Sequence, residues 1–287
     1  MATMQHIPPN PGHWQAIPVR SSKMTPEQEF LSRHSAHDYD AVLDRWREIA
    51  EAARLKEVIL AHDEVGKPFV VYETQKRVDA ETGTYLCAGV HGDEPAGVWG
   101  LIEWASANID FLRENGAVIF PCFNPSGLIG NTRHDSENRD LNRLFQDKSI
   151  PVLAAWHWFM KDRKIRLALH LHEDYDAQGI YLYELSREGE TFGDAVLERV
   201  STIIPRDPRD EIDGSDFENA VLLGFEDGIR ERVETHLNGG YPEAIFLFLK
   251  MARYTLTFET PSEFSLWDRV QAHKKFIEEA IQEGICR

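Results

Sequence analysis

With 287 residues, 42% of them hydrophobic and 28% charged, the chain has the composition of a globular protein with a substantial core. A formal charge of −17 argues against nucleic acid as partner, since phosphates are bound by basic surfaces, and no run approaches the roughly 18 apolar residues of a membrane span. Three cysteines cannot make a disulfide framework; Cys87 and Cys122 lie in apolar, strand-like runs and are expected as small buried hydrophobes.

The N-terminus lacks a basic segment followed by an apolar one, so no secretory signal is expected and the chain reads as soluble and cytoplasmic. Pro8, Pro9, Pro11 and Pro18 predict an extended, irregular start over residues 1–24. Thr25-Pro26-Glu27-Gln28 then has the form of a helix cap with proline at the first helical position. Residues 41–53 have the apolar spacing of an amphipathic helix.

Short apolar runs follow at 57–61, 69–73, 84–90, 117–123, 165–171, 180–185 and 254–258. Helical patterns at 95–109, 151–161, 193–204, 241–251 and 266–283 separate several of them. Alternation of this kind predicts an α/β fold: a single domain with a mixed, mostly parallel twisted sheet and helices on both faces. The first two runs, joined by Asp63-Glu64-Val65-Gly66, predict a hairpin. The acidic stretch 206–218 is expected as an exposed loop. Residues 1–56 are expected as an extended segment and helix packed on a catalytic domain at 57–287.

The chemistry gathers behind the strands. His91-Gly92-Asp93-Glu94 follows the run ending at Val90 and offers an imidazole and a carboxylate from one turn. A borderline-soft cation such as Zn²⁺ accepts that pair. The competing reading is a polar turn in which His91 is solvated and Glu94 begins a helix, since acids favour helix N-termini. Asn124-Pro125-Ser126-Gly127 lies behind the next strand, followed by Arg133 and by Asp140-Leu141-Asn142-Arg143. Arginines on such loops suit forked recognition of carboxylates or oxyanions.

His170 and His172 end the run from Ile165, and alternation puts them on one face of a strand. Glu259 ends the apolar run from Tyr254, where a carboxylate faces a desolvation cost unless a charged or functional partner meets it. Open α/β sheets bind ligands outside the carboxyl ends of their strands. His91, Glu94, Asn124, Arg133, His172 and Glu259 all fall at or just past such ends.

In this order the motifs resemble the zinc metallocarboxypeptidases of the carboxypeptidase A type, peptidase family M14, over roughly residues 84–262. The resemblance implies the zinc carboxypeptidase-like fold and one Zn²⁺ held by His91, Glu94 and His172. It also implies Glu259 as general base and then acid, Arg133 as oxyanion stabiliser, and Asn142 with Arg143 as a clamp on the substrate's terminal carboxylate. Tyr241 is the counterpart of a tyrosine that covers the substrate, or else a core aromatic at a helix start.

The family commonly has an aspartate where this chain has His170. His170 is therefore a partner of a metal-binding residue or a competing ligand in place of His172. A second metal on His170, Glu173, Asp174 and Asp176 is the less favoured alternative to a solvated acidic turn. The aspartoacylase and succinylglutamate desuccinylase group shares His-x-x-Glu, Asp-Leu-Asn-Arg and a strand-end histidine. Its members hydrolyse N-acyl amino acids. Phe258-Glu259-Thr260-Pro261 resembles the peptidase side.

The implied partner is a peptide or N-acyl amino acid with a free carboxylate, with neither nucleic acid nor membrane involved. The implied activity is a zinc-dependent hydrolase, a metallocarboxypeptidase or peptide amidase. The rival readings are an N-acyl amino acid deacylase and an inactive zinc-binding module that recognises peptide C-termini.

Overall fold

The computed structural model describes residues 24–33, 35–187 and 189–285. The irregular start expected over 1–24 lies outside these apart from Met24. The chain divides into two compact units, one ending at Arg33 and one beginning at His34.

In the first unit, α1 (Pro26–Arg33) opens with a reciprocal cap. Thr25 Oγ1 accepts from the Gln28 amide at 3.1 Å, and Gln28 Oε1 accepts from the Thr25 amide at 3.0 Å. Two of the donors that a helix start leaves unpaired are satisfied in this way.

The second unit is one α/β domain. It begins with α2 (Tyr39–Ala53), which is capped by Asp38 and buries Tyr39, Val42, Leu43, Trp46, Ile49 and Ala53 along one face. A hairpin of β1 (Lys56–His62) and β2 (Pro68–Glu73) follows, antiparallel as its turn residues predict. Asp63 Oδ1 accepts the Val65 and Lys67 amides, and Gly66 takes the positive φ of 81° that the turn needs.

The alternating body then runs β3 (Thr84–Ala88), α3 (Pro95–Ala107), α4 (Ile109–Glu114), β4 (Ala117–Phe120), α5 (Pro125–Gly130), a 3-10 turn at Leu141–Arg143, and α6 (Pro151–Met160). After these come β5 (Ile165–Asp174), β6 (Tyr181–Ser186), α7 (Gly193–Val200), β7 (Glu211–Ile212), β8 (Ser215–Asp216), β9 (Val221–Phe225), α8 (Glu226–His236), α9 (Glu243–Lys250), β10 (Ala252–Pro261) and α10 (Leu266–Ile285).

Among the described residues, eight strands form one sheet in the order β1-β2-β4-β3-β5-β10-β6-β9. The centre, β4-β3-β5-β10, is parallel throughout, so its strands end at the same rim. Antiparallel pairings join β1 to β2, β2 to β4 and β10 to β6. The sheet is the mixed, mostly parallel one expected.

Helices cover both faces. On one, Phe69, Tyr85, Phe120, Trp156 and Leu247 share a buried cluster to which α6 and α9 contribute. On the other, α3 and α10 approach so closely that a Cβ on Gly100 would lie 2.4 Å from His273 Cβ. Phe258 of β10 stacks on Phe276 of α10 with ring centroids 4.4 Å apart. Burying each such ring stabilises by about 1.5–3 kcal/mol, which makes the central strands a stiff platform. Because side chains alternate along a strand, Glu259 faces away from α10 on the side opposite Phe258.

Two differences from expectation lie after β6. The stretch 206–218 carries the β7–β8 hairpin, whose Ile212 and Phe217 are buried, with Phe217 packed edge-on against Tyr181 and Tyr183. Edge strand β9 and helix α8 were also unforeseen. Each is short or charge-rich, so periodicity alone gives little signal, and pairing to β6 is what makes residues 221–225 a strand.

Candidate active site

The turn from β3 into α3 brings His91 and Glu94 to the rim. Gly89 takes a φ of +64°, and the Gly92 amide donates to the Thr132 carbonyl at 3.0 Å. Asn124 caps α5 by accepting the Gly127 amide at 2.9 Å. A Cβ on Gly92 would sit 1.9 Å from the Gly127 carbonyl carbon, so two backbones meet here without side chains between them. The Asn124–Gly127 motif thus seats the His91–Glu94 turn.

His172 arrives on β5, directly beside Glu259 of β10 in the parallel register. The two oxygens of Glu94 face two different imidazoles. His91 Nδ1 donates to Oε1 at 2.6 Å, and His172 Nδ1 donates to Oε2 at 2.8 Å. All three side chains are buried, and one ligand atom from each lies within 4.8 Å of the others. Among the described residues this is the one group of histidine, cysteine and carboxylate side chains so arranged. Two imidazole nitrogens and a carboxylate are the donor set of a catalytic divalent metal site.

His91 Nε2 faces Asp140 Oδ1 at 3.2 Å, so both ring nitrogens meet carboxylates and both carry protons. Burial opposes that charge, but Glu94 and Asp140 outweigh it and raise the His91 pKa to about 9. For Glu94, burial favours the neutral acid, yet His91 and His172 hold its pKa well below the usual carboxylate range. Asp140 behaves similarly: desolvation is overcome by His91, Arg133 and Arg143. In this arrangement protons lie where a cation would bind.

Arg133 grips Asp140 Oδ2 through Nε and Nη2, both at 3.1 Å, and its side chain is 39% exposed toward the rim. Its Nη1 lies 3.9 Å from Glu94 Oε1, so the guanidinium borders the candidate metal group. Glu259 is half-buried. Desolvation, with Glu94 and Asp174 adding to it, raises its pKa well above the ordinary value against the pull of His172 and Arg133. A carboxyl so poised holds a proton until positive charge arrives nearby.

Asn142 and Arg143 form the 3-10 turn, whose Asp140 cap accepts the Asn142 amide at 3.0 Å. Tyr241 is tied by its backbone to the same turn, accepting from the Phe145 amide and donating to the Arg143 carbonyl. Its ring packs beside the cluster of Leu185, Ile229, Phe248 and Leu249.

His170 lies outside the metal group. Its Nδ1 donates to Glu243 at 2.8 Å. Glu173 accepts from the Ala96 amide at 2.6 Å and from Arg269, while Asp174 accepts from the Tyr181 hydroxyl at 3.0 Å. These three side chains are committed to separate partners. The sequence offered Glu173 only as a ligand of a less favoured second metal, and it gave no role of their own to Asp140 or Glu243. Asp140 lay in a motif already singled out, but acids at 173 and 243 look locally like turn and helix-start residues.

A search of the solved structures finds a candidate metallopeptidase from Shewanella amazonensis SB2B at a TM-score of 0.75 and 17% identity, covering 88% of this chain and 95% of that one. A metallo-carboxypeptidase from Burkholderia cenocepacia superposes at 0.61 and 14% identity, covering 86% and 68%. The chain has the metallocarboxypeptidase fold. A metallo-carboxypeptidase from Pseudomonas aeruginosa, in complex with (2-guanidinoethylmercapto)succinic acid, shares it at 0.58 and 15% identity, covering 88% and 70%.

Residues 80–180 match the succinylglutamate desuccinylase/aspartoacylase catalytic domain. That span runs from the His91 turn through His172 and stops before Glu259. No curated protein matched in sequence. The fold is thus shared with metallocarboxypeptidases, and the motif-bearing segment matches the desuccinylase/aspartoacylase catalytic domain. No described helix is long and apolar enough to cross a membrane.

Proposed function

We propose that this chain is a zinc-dependent hydrolase that cleaves an amide bond beside a free carboxylate, acting as a carboxypeptidase. The observation that carries the reading is the convergence of His91 Nδ1, Glu94 and His172 Nδ1 next to Glu259 and Arg133. His91, Glu94 and His172 would hold the zinc ion, which would supply Lewis-acid activation of a water and of the scissile carbonyl. Glu259 takes a proton from the attacking water and returns it to the departing nitrogen. Arg133 meets the negative charge that develops on the carbonyl oxygen. Asn142 and Arg143 hold the substrate's carboxylate, fixing which bond reaches Glu259.

A second reading, N-acyl amino acid deacylation, is favoured by the family match over residues 80–180. Both substrates place a carboxylate beside an amide, so one clamp serves either. Assay of zinc-loaded protein against C-terminal dipeptides and N-acyl amino acids decides between them. Cleavage confined to N-acyl amino acids replaces the first reading with the second, and turnover of neither class refutes both. Glu259→Gln is expected to keep its zinc and lose turnover by about 10²–10⁴-fold, and a fully active variant would remove Glu259 from the mechanism.

A further inference from the structure

Beneath the carboxylate clamp runs a buried polar chain that the proposed reaction does not use. Glu243, at the first position of α9, is 1% exposed on the sheet face shared with Tyr85 and Trp156. Its Oε1 accepts from the Tyr85 hydroxyl and its Oε2 from His170 Nδ1 at 2.8 Å. The Tyr85 hydroxyl in turn accepts from Trp156 Nε1 at 3.0 Å. An isolated buried carboxylate is costly, so two direct partners, Tyr85 on β3 and His170 on β5, hold this one in a single place, with Trp156 of α6 fixing the Tyr85 hydroxyl.

The backbone of the same residue reaches the clamp. The Glu243 amide, one of the donors that a helix start leaves unpaired, donates to Asn142 Oδ1 at 3.0 Å. A backbone N–H can only face the oxygen of a carboxamide, so this contact settles which end of Asn142 is which. The NH₂ group of the half-buried Asn142 makes no hydrogen bond among the described residues. Two further backbone bonds, Tyr241 amide to Arg143 carbonyl and Phe145 amide to Tyr241 carbonyl, fasten the same two segments.

We propose that Glu243 is a positioning residue for substrate carboxylate recognition. Its buried side chain anchors the start of α9, and its amide aims the Asn142 NH₂ donors at the carboxylate. The inference rests on reading Asn142 and Arg143 as the clamp. It also gives His170, two positions before His172 on β5, a purpose other than metal binding: it is one of the anchors of Glu243.

The test compares binding of N-acetylglycine and of its neutral analogue N-acetylglycinamide to the zinc-loaded protein by calorimetric titration. Wild type, Glu243→Gln and the milder Tyr85→Phe are titrated side by side. Wild type is expected to prefer the carboxylate. Both variants should lose about tenfold of that preference, the scale of one charge-assisted hydrogen bond misaimed. Their affinity for the amide and their zinc content should stay unchanged. On the substrate found to be cleaved, KM should rise with kcat held within about twofold, the pattern of lost ground-state binding.

Variants that bind zinc and keep the wild-type preference overturn the inference while leaving the clamp intact. Equal loss of both ligands, or loss of zinc, makes Glu243 merely structural and overturns it too. A wild type that does not distinguish the two ligands overturns the clamp reading itself.

Discussion

Replacing Asp140 with asparagine separates the two duties of one carboxylate. Oδ1 accepts from His91 Nε2 at 3.2 Å and from the Asn142 amide at 3.0 Å, and Oδ2 takes both prongs of Arg133 at 3.1 Å. A carboxamide has one oxygen, so its NH₂ must face either the His91–Asn142 side or the guanidinium. Burial decides which. The His91 side chain is 4% exposed and has no water to turn to, and stranding its N–H would cost about 1–3 kcal/mol. Arg133 is 39% exposed and can swing toward solvent for less. The oxygen therefore turns to His91 and the arginine is released.

Zinc affinity in Asp140→Asn should fall only severalfold, toward the low end of the 10–100-fold range typical when a metal-binding histidine loses its partner. Turnover of the zinc-loaded variant should fall by about 10²-fold, since an oxyanion donor loses its aim. Chelator competition measures the first quantity, and steady-state kinetics at saturating zinc the second. A variant that binds zinc more than a hundredfold worse yet turns over normally when loaded would refute the reasoning.

Two further outcomes follow from the same geometry. Because the metal-free His91 has its pKa raised to about 9, a metal must displace its proton. Apparent zinc affinity should rise about tenfold per pH unit up to that value, with nearly one proton released on binding near neutrality. In the metal-free protein the sign reverses. The raised pKa stabilises the fold fully below the unfolded value of about 6.5, and that contribution is lost as pH climbs through about 9. A flat affinity profile between about pH 7 and 9 contradicts the assignment. Gly92→Ala places a Cβ inside the Gly127 backbone, so the turn must move. Overpacking of this kind costs about 1–3 kcal/mol or more. Thermal melting and zinc retention should both drop, and an alanine variant with native melting and full zinc would show the contact to be soft.

Much of the site was legible because its motifs are local. His91 and Glu94 share one turn, Asp140 to Arg143 form another, and the strand-end positions of His172 and Glu259 follow from where apolar runs stop. Asn124–Gly127 was visible as a pattern, but its task of accommodating Gly92 backbone to backbone was not. The β7–β8 hairpin, β9 and α8 escaped because they depend on distant partners: Phe217 packs against two tyrosines, β9 pairs with β6, and Ile229 of α8 joins Leu185 and Phe248 in one cluster.

Residue order alone determined the alternating α/β architecture, the hairpin at the start of the sheet and the placing of His91 and Glu94 on one turn. Each of these depends on periodicity or spacing within a few residues. Which of two neighbouring histidines meets Glu94 was decided only by the fold. His170 and His172 share a face of β5, yet one rung along the strand separates a carboxylate on α9 from a carboxylate on the β3–α3 turn. That choice depends on how far each helix start reaches over the sheet, which is a property of packing between elements distant in the chain.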